Sequence, residues 1–194
     1  MNAIEGFLHD LDRAWDLENS TKIRLPIFGS AALLLQTSYQ RMTKDSDVLE
    51  TSQHTDAVKK RLHRLAGQGS DLHRQHRLYV EIVPNGIPFL PHVPDWRPFA
   101  LDLKWFEVEV LGIVDVVVSK LARFSANDRS DIDAMISGGH VAHARFVERF
   151  RAAVDERIGD AREDQLPSII DRFHTVERDM FDVAETEIEL PSWI

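Results

Sequence analysis

Apolar side chains along this chain recur at helical, then strand, then again helical intervals. Ile4, Phe7, Leu8, Leu11 and Trp15 share one face of a helix predicted over residues 3 to about 18. Ile23 to Phe28 is a short apolar run broken by Arg24 and Pro26, and a proline inside such a run predicts a strand at a sheet edge. Ser30 to Gln36 then suits a helix that starts near Ser30, and Asp45 to Leu49 suits a further strand. The order is strand, Gly-Ser turn, helix, strand.

His54 to Ala66 reads as a basic amphipathic helix, with Val58, Leu62 and Leu65 on one side, interrupted at Gly67-Gln68-Gly69-Ser70. Leu78 to Val83 is rich in β-formers and is ended by the turn Pro84-Asn85-Gly86. The prolines between 84 and 98 predict an extended excursion over the surface. Trp105 to Leu111 alternates apolar residues with Glu107 and Glu109 as another strand. After Gly112 only helices are expected: Ile113 to Phe124, Asp128 to Ile136 with Asn127 as its cap, Ala142 to Ile158, and about Leu166 to Val183. The expected fold class is α+β, a mixed β-sheet flanked by helices with a helical C-terminal part. Residues 1–112 would form the α/β core with its N-terminal helix, and residues 113–194 a helical region packed on it.

Composition narrows the setting. With 194 residues, 43% hydrophobic and 28% charged, the chain is long enough for one good core. No apolar run is long enough to span a bilayer. The N-terminus lacks the basic start and apolar core of a signal peptide, and there are no cysteines, so the cytoplasm is the expected location. The absence of cysteine also excludes disulfides, thiolate metal sites and cysteine nucleophiles. A formal charge of -9 argues against broad non-specific nucleic-acid binding. Even so, Lys59, Lys60, Arg61, Arg64, Arg74 and Arg77 crowd one short segment, while the acidic excess lies from Asp155 onward. That asymmetry predicts a basic groove in an otherwise acidic protein. His73-x-x-His76 and His140-x-x-His143 have zinc-compatible spacing, but no third ligand sits at a suitable offset, and solvated histidines are expected.

The chemistry centres on Phe28-Gly29-Ser30 and on Asp45-Ser46-Asp47-Val48-Leu49. On a strand, period-2 geometry sends Asp45 and Asp47 to the same face. Two neighbouring carboxylates repel, so a fold that keeps them usually places a cation between them. Hard divalent ions take carboxylate oxygens and phosphates. A Gly-Ser turn that opens a helix presents backbone N–H groups to a phosphate.

This pattern, Gly-Ser followed by Asp-x-Asp and a third acidic residue on a neighbouring strand, resembles the DNA polymerase beta-like nucleotidyltransferases. Arg41-Met42-Thr43 before the first aspartate is similar to the lead-in of relatives of the AbiEii abortive-infection toxins. So are Ser119-Lys120-Leu121-Ala122-Arg123 and Asn127 to Asp133 to the helical motifs of that branch. The resemblance covers residues 23 to about 137.

It implies a Mg2+- (or Mn2+-) dependent enzyme that moves a nucleoside monophosphate from an NTP such as ATP to an acceptor hydroxyl. Asp45, Asp47 and Glu81 would hold the metals, while Gly29, Ser30 and Thr43 would meet the nucleotide. Lys120 would neutralise phosphate charge, with Asp131 as its partner or as a substrate-positioning group. The acceptor implied is an RNA end, tRNA included, or a protein or small molecule. In that branch the enzyme can be the toxin of a toxin–antitoxin pair, with a cognate antitoxin. Ser46 stands where an aliphatic residue is usual, and Glu81 is one methylene longer than the commoner aspartate. A second reading therefore stands beside the first: a nucleotide-binding or partner-binding module that keeps the fold without turnover. Phe146, Phe150 and Val154 form a helical stripe read as core, with a partner-binding or dimerising tail as the other reading.

Overall fold

The computed structural model describes residues 3–16, 21–40 and 44–193 and divides into two compact units. The first comprises residues 1–87 and 96–111, and the second residues 88–95 and 112–194. The α+β class is as expected, with a mixed sheet and a chain that is all helical beyond it.

In the first unit, α1 (Ala3–Ala14) buries Ile4, Phe7, Leu8 and Leu11 but ends before the expected residue 18. It leads through β1 (Ile23–Phe28), α2 (Gly29–Gln36) and β2 (Asp45–Leu49) to α3 (Asp56–Ala66) and the short α4 (Asp71–His76). β3 (Tyr79–Val83), β4 (Trp96–Phe99) and β5 (Phe106–Leu111) complete the sheet, in spatial order β3-β2-β1-β5-β4. β1 runs parallel to β5 and antiparallel to β2, and β2 runs parallel to β3.

The expected edge position of β1 is therefore corrected: it is the central strand. Pro26 is tolerated because its missing N–H points to the β2 side, where the ladder between the two strands is already over. Two residues earlier on that side, side chains replace the ladder: Gln53 accepts from the Arg24 N–H at 2.8 Å and His54 Nε2 meets the Arg24 carbonyl at 2.8 Å. The edge strands are β3 and β4, and β4, which carries Pro98, lies inside the segment read from sequence as an irregular excursion.

Alternation gives the sheet two unlike faces. Ile23, Leu25, Ile27, Val48, Val80, Phe106, Val108 and Val110 share the apolar face and are buried. The opposite face carries Asp45, Asp47, Glu81 and an Arg24–Glu109 pair at 2.5 Å. The Asp12 carboxylate accepts from the N–H groups of Lys104 and Trp105 at 2.9 and 2.8 Å, fixing the end of α1 to the start of β5. Gln36 donates to the Leu111 carbonyl at 2.8 Å, tying the end of α2 to the end of β5.

The second unit holds α5 (Ile113–Lys120), α6 (Ala126–Ser137), α7 (His143–Arg157) and α8 (Leu166–Val176), which runs into a π-turn at Glu177–Phe181. Phe146, Phe150 and Val154 are buried, and Phe150 stacks on Phe173 with ring centroids 4.0 Å apart. The stripe is core in this unit. Ser125, not Asn127, caps α6, through a capping box with Asp128. Asn127 is one residue inside the helix. Among the described residues no helix is long and apolar enough to cross a membrane.

Candidate active site

β1 ends at Phe28, and the chain turns into α2 at Gly29, whose φ of 66° lies in the left-handed region. The position requires glycine for a second reason. A Cβ there would stand 2.6 Å from Asp47 Oδ2. This close approach follows from register, since Phe28 pairs with Asp47 across the β1–β2 ladder. Phe28, at the N-cap of α2, makes no side-chain cap hydrogen bond, and the helix start that follows Gly29 has the backbone character of an anion site. Ser30 is half-buried in its first turn.

On β2, Asp45 and Asp47 project from one face and are half-buried, while Ser46 points the other way and is 1% exposed. The buried Ser46 hydroxyl has no hydrogen-bond partner among the described residues. β3 brings Glu81 directly opposite Asp47 and Tyr79 opposite Asp45. One carboxylate oxygen from each of Asp45, Asp47 and Glu81 lies within 4.8 Å of the other two. Among the described residues this is the sole acidic or histidine cluster with the geometry to hold a metal ion. Its donor set is all oxygen, which suits Mg2+ or Mn2+ over softer metals. The Tyr79 phenol reports the field of the cluster: burial and the negative charges of Asp45, Glu81 and Asp47 together push its pKa up.

Thr43, with Arg41 and Met42, lies outside the described residues. Three of the four zinc-spaced histidines have other occupations, and His140 is exposed. His73 Nδ1 accepts from the Gly69 N–H at 2.9 Å, His76 pairs with Asp10 at 2.8 Å, and His143 pairs with Glu177 at 2.7 Å.

In the second unit, Lys120 ends α5 and is 6% exposed. Its ammonium lies 3.1 Å from Asp128 Oδ1 and 2.8 Å from Asp131 Oδ2 on α6. Asp128 is the hub of this network. It also accepts from Arg123 Nε at 2.7 Å, from the Ser125 hydroxyl at 2.7 Å and from the Ser125 N–H at 3.0 Å. Burial would raise its pKa, but the hydrogen bonds from Arg123 and Ser125 and the Lys120 charge outweigh it and hold the carboxyl below the usual range. From sequence, Asp128 reads as a first-turn acid favouring the helix dipole; its hold on Lys120 and Arg123 has no local signature. Tyr79 is also missed by motif reasoning, although its place two residues before Glu81 on one strand puts both on the same face.

A family model described as a nucleotidyltransferase of unknown function (DUF6036) matches residues 7–165. No curated protein and no solved structure matches the chain.

Proposed function

The chain belongs to this family of nucleotidyltransferases, and we propose that it is a Mg2+- or Mn2+-dependent enzyme transferring a nucleoside monophosphate from an NTP to an acceptor hydroxyl. The observation that carries the reading is the convergence of Asp45, Asp47 and Glu81 on one point of the polar sheet face, with the Asp47 carboxylate against Gly29. A divalent ion held there would acidify the acceptor hydroxyl and offset the charge of the leaving pyrophosphate. In the transfer, the acceptor oxygen bonds to the α-phosphorus as the bond from that phosphorus to the bridging oxygen breaks. Pyrophosphate leaves with the electron pair, and the hydroxyl proton passes to water.

The chain's own residues supply binding and orientation. Asp45, Asp47 and Glu81 would hold the cation, Glu81 on the acceptor side. The amides after Gly29, with Ser30, take phosphate oxygens at the start of α2. Thr43 is assigned to the nucleotide by resemblance alone. For Lys120 the resemblance implies charge neutralisation on phosphate, and the Asp131 partnership it also implies is supported by their 2.8 Å ion pair. With Asp128 as a second carboxylate on the same ammonium, we read Lys120 as a positioning residue that holds α5 to α6.

The resemblance to the AbiEii branch favours an RNA end, tRNA included, as acceptor, and a toxin role with a cognate antitoxin. A second reading, a nucleotide-binding or partner-binding module without turnover, is favoured by Ser46, which departs from the aliphatic residue usual between the two aspartates in the proteins the motif resembles. One experiment separates them. Each labelled NTP is incubated with the protein, Mg2+ or Mn2+, and a total RNA and protein extract. The enzyme reading expects metal-dependent pyrophosphate release and one labelled band, both abolished by Asp45→Ala and by Asp47→Ala. No release with any NTP overturns it.

A further inference from the structure

Beside the carboxylate cluster, a cleft of about 380 Å³ opens between α3 and the free edge of β3. Lys59 and His63 of α3 and Gln68 after it form one side, and Tyr79 and Glu81 of β3 contribute to the other. Glu81 thus belongs both to the cleft and to the candidate metal cluster. The volume is within the range of small-ligand sites.

Strand parity adds recognition groups. The Tyr79 N–H donates to the Lys44 carbonyl and the Val83 carbonyl accepts from the Glu50 N–H, so the odd-numbered residues of β3 face β2. Val80 and Ile82, which also line the cleft, therefore direct their N–H and C=O groups outward from the sheet edge. A ligand there meets backbone donors and acceptors, an imidazole, a carboxamide and an aromatic ring. These are groups that read the polar edge and the face of a heterocyclic base.

The charge around the cleft selects further. Residues 56–77 carry six lysines and arginines against two aspartates, in a chain of formal charge -9. Lys59 is neutralised by Glu50 at 2.7 Å, whereas Lys60, Arg64 and Arg77 are exposed. Lys60 and Arg64 each follow a lining residue of α3 by one position, and Arg77 closes α4 just before β3. Exposed cations next in sequence to the lining residues, beside a hydrogen-bonding interior that carries the Glu81 carboxylate of the candidate metal cluster, fit a phosphate-bearing ligand that reaches that cluster.

We infer that this cleft seats the acceptor, and that the acceptor is itself a nucleotide, free or at the end of a strand. The inference rests on the transfer reading above. The acceptor's base lies against the β3 edge, its phosphate meets the Lys60, Arg64 and Arg77 rim, and its hydroxyl is delivered at Glu81. That hydroxyl oxygen takes the α-phosphoryl group from the NTP, pyrophosphate leaves, and the proton goes to water.

The test is binding without metal or NTP, using adenosine 5′-monophosphate and a short single-stranded RNA as probes and spermine as the cationic control. The wild type should bind a nucleotide probe in preference to spermine. Affinity should fall about tenfold or more in His63→Ala/Gln68→Ala and in Lys60→Glu/Arg64→Glu, and stay within about twofold in Asp155→Asn, an exposed residue of α7 outside both sites. Preference for the mononucleotide identifies a free acceptor, and preference for the RNA identifies a strand end. Equal binding by the cleft variants and the wild type, tighter binding of spermine, or labelling of protein alone overturns the inference. Nucleotide binding that depends on the cleft, in a protein that releases no pyrophosphate, overturns the transfer reading while leaving a nucleotide site in place. Pyrophosphate release and acceptor labelling that are unchanged in the cleft variants do the reverse.

Discussion

The Asp47 carboxylate lies so close to Gly29 that a single methyl group added at Gly29 would stand 2.6 Å from Oδ2. The turn and the acidic strand, separated in sequence by α2, are thus one unit of structure. Gly29→Ala would place a side chain at φ 66° and displace the carboxylate. Expected outcomes are a loss of about 1–3 kcal/mol in urea unfolding and a loss of metal-dependent stabilisation. A variant that keeps both wild-type stability and wild-type metal response would show that the contact is dispensable.

Removing one charge from the cluster should act oppositely with and without metal. Asp45→Asn and Asp47→Asn relieve like-charge repulsion, so each apoprotein should melt at or above the wild-type temperature. Added Mg2+ or Mn2+ should raise the wild-type melting temperature and leave those of the variants nearly unmoved. Any pyrophosphate release should drop by about 100-fold or more. Thermal scans with and without EDTA decide the first part, and a coupled pyrophosphate assay the second.

Tyr79 offers a spectroscopic reading of the same cluster. Burial and the charges of Asp45, Glu81 and Asp47 raise its pKa. The folded state therefore holds the phenol proton more tightly than the unfolded one. The associated stability is present below the usual tyrosine range and is lost as pH rises through the raised pKa. In a Tyr39→Phe background, leaving one tyrosine, alkaline absorbance titration should find the phenol titrating late. Adding Mg2+, or substituting Asp45→Asn, should bring it earlier by weakening the negative field. A midpoint indifferent to both would separate Tyr79 from the cluster.

Much of this site is legible in the sequence because its parts are local. The Gly-Ser turn, the period-2 placement of Asp45 and Asp47, and the strand that carries Glu81 each depend on a few adjacent residues. What is not legible depends on pairing at a distance. Pro26 signals an edge strand, and only the end of the β2 ladder and the side chains of Gln53 and His54 make a central proline tolerable. Trp96–Phe99 hides as a strand because prolines surround it and β5 alone orders it. Asn127 and Ser125 are both good caps, and reciprocal bonding with Asp128 decides between them. The motif around Lys120 shows a basic residue but not that two carboxylates enclose it.

Ser46 separates stability from function. Its hydroxyl is buried and has no partner among the described residues, so it bears a desolvation cost with no hydrogen bond in return. Ser46→Ala should leave stability unchanged or raise it by up to about 1 kcal/mol in chemical denaturation. Because the side chain points away from the carboxylates, metal response should be unaltered. A loss of more than about 1 kcal/mol would reveal a hydrogen bond that the hydroxyl makes in solution.

Asp128 is where the second unit should be most sensitive to acid. Its folded-state pKa is depressed, because the hydrogen bonds from Arg123 and Ser125 and the Lys120 charge overcome the cost of burial. The stability it contributes is therefore full above the ordinary carboxylate range and lost as pH falls through and below it. Asp128→Asn removes the charge that Lys120 and Arg123 share but leaves Lys120 its 2.8 Å pair with Asp131, and should cost about 1–3 kcal/mol near neutral pH, the range for lost charged hydrogen bonds. The variant should also lack the part of the wild type's acid decline that Asp128 contributes, which begins at about pH 4 and grows as pH falls further. Lys120→Met leaves Asp128 its bonds to Arg123 and Ser125 but strips Asp131 of its 2.8 Å partner, so it too should destabilise. Unfolding curves at several pH values for both variants test whether Lys120 acts as the clasp between α5 and α6. A Lys120→Met protein with wild-type stability and no nucleotide binding would instead assign the ammonium to phosphate.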